Sequence, residues 1–565
     1  MVKLETLNRA LFLKINAGPA VPAWIVNGAT LIAKYLIYMI PIILFGMWLW
    51  GDESRRSLAL KACLVSLLAV SFNQIIGLAW KHPRLRYLLA AGKNFMRHLA
   101  IFTLTVTLAL IAGCASFHPR PLSPARTAAA LEDRRLDDPK LKEFIETNLN
   151  CKLTSWPPRS WDFPMLTLAA FYYHPDLDVA RARWQVAEAG KITAGQRPNP
   201  SISVPTGFIA NPGESNPWLY GVSLDIPIET AGKRGYRLAR AGHLAEAASL
   251  DIATAAWQVR SRLRTALLDL SLSRERAGLL KRQLVVQEEL IRLMAARLTH
   301  GEIPRPELTQ AQISLDQTRL LLQETQRQTA ENRVRLAAAL GLQVSALRQV
   351  GISYAFLQRL PPTPISPEIR QQALLNRPDI LAALASYEAT QSALQLEIAK
   401  QYPDLHLGPG YKFDDAKDKW NVGISLTLPV LNQNQGPIAE AKARREEAAA
   451  RFAALQARII AELDRSLAGY LETLRKLKTA ETLMVAEKIQ EQAAQRGLQA
   501  GETDRLALLS AQLVLNKAAL DRLQASYQAQ QALGLLEDAA KSPLGTSAGL
   551  PSGLQTNPSH GEYRP

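Results

Sequence analysis

Residues 174–540 of this 565-residue chain alternate between two patterns of apolar positions. In the longer segments, apolar residues recur every three or four positions, as Leu263 and Leu267 do, which is typical of amphipathic helices. The two longest segments without proline are 235–299 and 439–498. At about 1.5 Å per residue, such a helix approaches ~100 Å, which is far longer than a globular core requires.

Between the helical segments lie short stretches in which every second residue is apolar. The alternation is clearest in 220–226 and 422–428, and it is weaker in 201–208 and 405–413. Period-two patterning with aromatic residues near the ends is typical of membrane β-barrel strands with a wet interior. Two hairpins on a soluble helical protein are the alternative. The barrel interpretation predicts that one face contacts lipid through Tyr220, Val222, Leu224, Val422, Ile424 and Leu426.

The same order of segments occurs twice, with an offset near 200 residues. Each copy has a helix of about 25 residues, two strands, a very long helix, a turn and a returning helix; His174-Pro175 opens one copy and Arg377-Pro378 the other. Pro227 and Pro429 are predicted to end the second strand of each copy. Four strands cannot close a barrel around an open lumen, so the barrel must be shared between chains.

Both very long helices reverse at related turns, and their similar lengths predict that the turns reach the same depth. Glycine at each turn allows the backbone to reverse. The candidate residues of this end are Gly301, Glu302, Glu307, Gly501, Glu502 and Asp504. Glu307 would supply an acidic ring if it faced a lumen, and the alternative is a solvated glutamate.

The net charge of +16 is uneven along the chain, because residues 1–95 carry eleven Lys or Arg against three Asp or Glu. These basic residues flank two apolar runs, 24–50 and 57–80, each longer than the ~20 residues that cross a bilayer as a helix. No aromatic and basic patch and no zinc-ligand spacing supports nucleic-acid binding. Three cysteines form no disulfide framework, and eight His and seven Met show no clustering, so no metal or cofactor is expected.

A secretory signal is predicted at residues 96–114. Met96 and the basic Arg97 precede an apolar core at 99–110, and small residues follow that core. The tetrapeptide 111–114 resembles the bacterial lipobox, whose cysteine is lipidated and becomes the first residue of the mature protein. Cys114 is therefore the expected lipid attachment site. A third transmembrane helix with an incidental cysteine is the alternative.

Taken together, the lipobox and the duplicated unit resemble the TolC-like outer-membrane factors of tripartite efflux pumps. The resemblance implies a homotrimer in which four strands per chain make a twelve-stranded outer-membrane β-barrel, continued by a long periplasmic α-helical barrel. It also implies a periplasmic tip that meets an adaptor protein and an inner-membrane transporter, and passive conduction without catalysis. Some members carry an aspartate ring in the second repeat, where Ala507 and Ser510 stand here.

Residues 1–95 resemble the front of a type 2 phosphatidic acid phosphatase of the undecaprenyl-diphosphatase kind, through Lys81-His82-Pro83-Arg84. Leu85 replaces the proline expected next, and the later Pro-Ser-Gly-His and Arg-His-Asp motifs do not follow. A membrane diphosphatase remains one alternative function, and a periplasmic adaptor of the same pumps is another. An adaptor should have one helical hairpin, whereas this chain has two.

The expected fold class is mainly α with membrane β, in a lipid-anchored outer-membrane protein that extends into the periplasm. The expected parts are a truncated phosphatase-like segment (1–95), a lipoprotein signal (96–114), an N-terminal periplasmic segment (115–165), a first repeat (166–341), a linker (342–366), a second repeat (367–540) and a disordered tail (541–565).

Overall fold

A computed structural model describes residues 117–208, 218–348, 350–362, 367–414 and 417–544. The apolar runs, the signal and Cys114 lie outside the described residues, as does most of the C-terminal tail. Within the described ranges, none of the helices combines the length and the apolar character needed to cross a bilayer.

The first three described helices are α1 (Pro124–Glu132), α2 (Pro139–Leu149) and α3 (Phe163–Tyr173), and α3 contains residue 166, where the first repeat was predicted to start. Helix α3 is apolar on all sides and is buried almost throughout, as expected for a helix enclosed by others. Its core partners include Leu263 and Leu336 in the first repeat.

Each repeat has two opening helices, antiparallel strands, a very long helix and a returning helix, in that order. After α3, the first consists of α4 (Pro175–Gly195), β1 (Ser201–Ser203), β2 (Thr206–Phe208), β3 (Trp218–Ile228), α5 (Lys233–Thr299) and α6 (Arg305–Leu340). The second consists of α7 (Pro367–Leu375), α8 (Pro378–Ala399), β4 (Leu405–Asp414), β5 (Lys417–Leu426), α9 (Gln435–Ala500) and α10 (Arg505–Ala540).

The long helices match the sequence prediction closely. Helix α5 ends at Thr299 as predicted and begins at Lys233, while α9 extends the predicted segment slightly at both ends. The opening helices are shorter than the predicted length of about 25 residues, at 21 residues for α4 and 22 for α8.

The predicted strand ends at proline were wrong. Strand β3 continues through Pro227, which pairs with His406, because an antiparallel pair accommodates proline where its nitrogen is not needed as a donor. Strand β5 ends at Leu426, before Pro429 is reached. The predicted strand 201–208 is divided around Pro205 into β1 and β2, which both pair with β3.

The strands form one antiparallel sheet in the order β1-β3-β4-β5, with β2 also paired to β3. The central contact joins the two repeats, because β3 comes from the first and β4 from the second; Tyr220 pairs with Phe413 and Ile228 with Leu405. The four helices that adjoin strands in the chain, α4, α5, α8 and α9, meet the sheet at the end that holds Ile228, Leu405 and Leu426. The two hairpin connections are therefore at the opposite end.

The helices pack as two antiparallel hairpins, α5 with α6 and α9 with α10, and α5 also lies against α10. Leu263, Leu267 and Leu270 are buried on α5, as their helical spacing predicts. The linker folds onto the second repeat, where the Gln530 side-chain amide donates to the carbonyls of Leu357 and Arg359.

Candidate functional site

The sheet has one apolar face and one polar face. Register and strand parity place Val222 beside Tyr411 on one face, and Ser223 beside Gly410 on the other. All six side chains predicted to face lipid share the apolar face: Tyr220, Val222, Leu224, Val422, Ile424 and Leu426. Val422 and Ile424 are 73% and 71% exposed in the single chain, so this apolar surface lacks a partner within the described residues.

Aromatic rings cover the apolar face near the hairpin end. Tyr220 stacks on Phe413 with ring centroids 4.7 Å apart, and Tyr411 lies 5.1 Å from Trp420. Amphipathic rings at the end of an apolar band are typical of the membrane interface.

The polar face carries small and charged side chains. Gly408 pairs with Gly423, and the Ser203 and Ser223 hydroxyls are 3.0 Å apart. Near the helical end, His406 Nδ1 lies 3.0 Å from Asp225 Oδ1. No group of three or more metal-ligating side chains occurs within the described ranges.

Basic residues at the start of α5 hold the sheet against the helices. The Lys233 ammonium donates to the Tyr402 carbonyl and to the Asp404 carboxylate, both at 2.7 Å. Arg237 makes a two-point contact with Glu229, and this guanidinium lowers the pKa of the Glu229 carboxyl. These contacts fix the angle at which α5 leaves the sheet.

The two turns at the far end of the long helices have the same backbone geometry. Gly301 and Gly501 have φ of 72° and 76°. The Glu302 N–H donates to the Arg297 carbonyl at 2.9 Å, and the Glu502 N–H donates to the Gly497 carbonyl at 2.8 Å. This is the Schellman arrangement, in which a left-handed residue lets the last carbonyls of a helix find donors.

Ion pairs connect the two turns, although they are about 200 residues apart in sequence. Arg297 contacts Asp504 at 2.7 Å and Glu302 at 3.6 Å, and Arg505 contacts Glu289 at 2.8 Å. We call these contacts the tip latch. Asp504 also caps α10, because its Oδ1 accepts the Ala507 N–H at 2.8 Å.

Asp504 accepts two hydrogen bonds that lower the pKa of its carboxyl. The bond from the Ala507 N–H has the larger effect, and the bond from Arg297 has the next largest. Among the predicted tip residues, Glu302 and Asp504 lie close together, because both carboxylates form ion pairs with Arg297. Glu307 is exposed in the first turn of α6, and neither it nor Glu502 makes an ion pair with a described residue.

Arg297, Arg505 and Glu289 were missed in the sequence. The available signal was opposite charge within one helical turn of the two turn glycines, with Arg297 four residues before Gly301 and Asp504 three residues after Gly501.

The chain is similar to known proteins along most of its described length. The profile of the family described as outer membrane efflux protein matches residues 166–342 and 369–540. The cobalt-zinc-cadmium resistance protein CzcC of Cupriavidus metallidurans is 25% identical over 365 residues, which are 63% of this chain and 84% of that protein. The outer membrane protein VceC of Vibrio cholerae has a similar fold, with a TM-score of 0.55 at 19% identity over 67% of this chain and 95% of VceC.

A separate similarity covers a small part of the chain. YbjG of Escherichia coli, named as an undecaprenyl-diphosphatase, is 34% identical over 97 residues, which are 17% of this chain and 48% of that protein. The family that matches most of the chain consists of channel proteins rather than enzymes. From the two matched repeats and the shared fold, the chain belongs to the outer membrane efflux protein family and is the outer-membrane channel of a tripartite efflux system.

Proposed function

We propose that three copies of this chain close one passive duct, with a twelve-stranded barrel in the outer membrane and the helices in the periplasm. The observation that carries this proposal is a two-faced sheet with open edges at β5 and at β1 and β2. In hydrocarbon, each unpaired backbone group costs several kcal/mol, so these edges must pair with those of another copy.

In this arrangement, Tyr220, Val222, Leu224, Val422, Ile424 and Leu426 contact lipid. The face with Ser223, Gly408 and Gly423 lines the lumen. Solutes pass through the lumen without chemistry, because transport is driven by an inner-membrane transporter that reaches the tip through an adaptor protein.

Cysteine cross-linking across the open edges tests the trimer. In a Cys151→Ser background, since Cys151 is exposed, Ser203→Cys on β1 is combined with cysteine at Asn421, Gly423 or Ser425 on β5. At least one combination should give covalent trimers in membranes. The control is Ser203→Cys with Gly408→Cys, because β4 has partners on both sides within the chain. Dimers alone, or cross-linking of the control, would contradict the proposal.

The tip residues Gly301, Glu302, Glu307, Gly501, Glu502 and Asp504 are proposed to form the periplasmic gate and the adaptor docking site. The tip latch supports this role, because it ties the α5–α6 turn to the α9–α10 turn in the described conformation. Releasing it with Arg297→Ala should raise single-channel conductance in planar bilayers. Unchanged conductance in the double variant Arg297→Ala/Arg505→Ala would rule out a gating role for the latch.

Cys114 is proposed as the lipidated first residue of the mature protein, with residues 1–113 removed. The signal pattern that begins at Met96 supports this. Mass spectrometry of the outer-membrane form should find a lipidated peptide that begins at Cys114. Intact peptides from residues 1–90 in that fraction would refute it.

The similarity to YbjG supports a second candidate function, diphosphatase activity of residues 1–95. It is the weaker candidate, because the alignment covers 48% of YbjG and the later phosphatase motifs do not follow in this sequence. We expect no phosphate release from undecaprenyl diphosphate by the full chain in membranes. Release that is lost in an Arg84→Ala variant would establish the enzyme instead.

A further inference from the structure

Charged side chains gather on the polar face of the sheet where β4 turns into β5. Lys412 pairs directly with Lys419, and Asp414 lies two residues further along the same face of β4. Asp414 Oδ2 lies 3.1 Å from the Lys412 Nζ and 3.0 Å from the Lys419 Nζ. Lys417 pairs with Asp414 and lies on the same face, so the four side chains carry three positive charges and one negative charge.

The stability of the sheet does not explain this arrangement. Like charges directly opposite each other on neighbouring strands are destabilising. Asp414 offsets one of the three lysines on this face and leaves two lysines in excess. Uncharged polar residues would occupy Lys412 and Lys419 without that repulsion.

The charges at this end are sorted by face. Lys412 and Lys419 share the face of Gly410 and Asn421, opposite the aromatic face. Asp418 lies between Lys417 and Lys419 in sequence but on the aromatic face, where the Tyr411 hydroxyl donates to its carboxylate. The apolar face contacts lipid in the proposed barrel, so the excess positive charge faces the lumen and Asp418 faces outward.

The helices fix which end of the lumen this is. The helices that adjoin the strands meet the sheet at its opposite end, and α5 and α9 run from there to the tip. The β4–β5 turn therefore lies at the external mouth. A solute passes this level last on its way out.

We propose that Lys412, Asp414 and Lys419 form a basic collar at the external mouth that gives the exit a preference for anions. The proposal rests on the trimeric duct, in which three copies bring the lysines of this face into one ring. Fixed charges on the wall of a narrow pore concentrate counter-ions, and their reach grows from about 10 Å at 0.1 M salt to about 30 Å at 0.01 M. Anionic solutes are therefore the class favoured at this end.

The test uses the purified full chain in planar bilayers, with chloride-to-potassium permeability from reversal potentials at about 10 mM and about 0.1 M salt. Lys412→Gln/Lys419→Gln should lower the ratio about two- to fivefold at the lower salt, and less at the higher salt. Asp414→Asn should raise it. The matched control is Asp418→Asn, the same change in the same hairpin on the opposite face, which should leave the ratio unchanged.

Inorganic tripolyphosphate, a multivalent anion, locates the effect. Added on the barrel side, it should reduce current through the wild type and not through Lys412→Gln/Lys419→Gln; added on the tip side, it should reduce current less. Equal shifts from Asp414→Asn and Asp418→Asn would overturn the sorting by face. An unaltered ratio in the double lysine variant that still conducts would overturn the collar alone, whereas absence of conductance in the wild type would overturn the duct.

Discussion

Gly301 and Gly501 are required for their backbone conformation and not for space. Both have positive φ, and a Cβ at either position would meet no other atom within 4 Å. A β-branched residue there should destabilise the turn by about 1–2 kcal/mol, the typical cost of the left-handed region, whereas asparagine enters that region more easily.

We therefore expect Gly301→Val and Gly501→Val to impair export while trimers still reach the membrane, and Gly301→Asn and Gly501→Asn to retain most export. Efflux assays and amide hydrogen exchange at the turns measure this. Equal loss in the valine and asparagine variants would show that the side-chain volume matters instead.

The carboxylate of Asp504 gives the tip latch a defined pH dependence. Its pKa is lower in the folded protein than in an unfolded chain, so its contribution is fully present at neutral pH. It is lost only as pH falls through the lowered pKa, below the ordinary aspartate value of about 3.9. His300 adjoins the turn, so the experiment uses a His300→Gln background, which removes this imidazole from the region of the latch.

In that background, conductance should be constant between about pH 6 and pH 8 and should rise below about pH 4. Asp504→Asn keeps an oxygen that can cap α10 and removes the charge, so its conductance should be higher than that of the parent between about pH 6 and pH 8, and the two should converge below about pH 4. Glu481→Gln is the control, because this exposed carboxylate of α9 lies outside the turns and makes no ion pair with a described residue. A rise centred near neutral pH would assign the gate to another group.

At the scale of elements, the two faces of β5 predict opposite responses to the same substitution. Ile424→Arg places a charge on the apolar face and should destabilise the inserted barrel by about 2–4 kcal/mol near the membrane midplane. Ser425→Arg, one residue away on the polar face, should assemble almost normally. The yield of heat-resistant trimers in outer-membrane fractions measures both, and equal losses would contradict the lumen assignment.

Local patterns were sufficient to predict most of these elements. The absence of proline predicted α5 and α9, and strict alternation predicted β3 and β5, because both signals depend on neighbouring residues alone. The Pro227 prediction failed because the effect of a proline depends on whether its nitrogen faces a partner strand, which is a property of the register. The Arg297–Asp504 pair could not be predicted, for a similar reason. The two side chains meet only when α5, with 67 residues, and α10, with 36 residues, pack with the correct rotation about their axes.

At the scale of the whole molecule, duplication determines both ends of the channel. Each long helix begins after a left-handed residue, Gly232 or Asn434, and ends in a turn with a left-handed glycine. Between these ends, the two repeats meet along α5 and α10 through buried polar contacts. This seam is where one outer-membrane efflux chain holds its two hairpins together.

Glu537 lies at the centre of the seam. Its Oε2 is 3.2 Å from Arg260 Nη1 and 3.4 Å from Arg264 Nε, and its Oε1 accepts the Leu544 N–H. Arg264 Nη1 also donates to the Gln530 carbonyl at 2.8 Å. A Cβ on Gly534 would lie 2.4 Å from this guanidinium, so here glycine is required for space.

The seam should therefore be far more sensitive to loss of charge than a surface ion pair. Burial lowers the pKa of the Arg264 guanidinium, and Glu537 opposes that shift more than Asp538 does, so Glu537→Gln would remove the main counter-charge of two buried cations. We expect the free energy of unfolding to fall by about 3–5 kcal/mol. The control is Glu288→Gln, whose partner Arg319 is 3.1 Å away and whose pair is about half exposed, so solvent screens the two charges and the loss should be much smaller. Thermal melting of the purified protein in detergent compares the two variants, and similar melting temperatures would show that the seam is held by apolar packing rather than by Glu537.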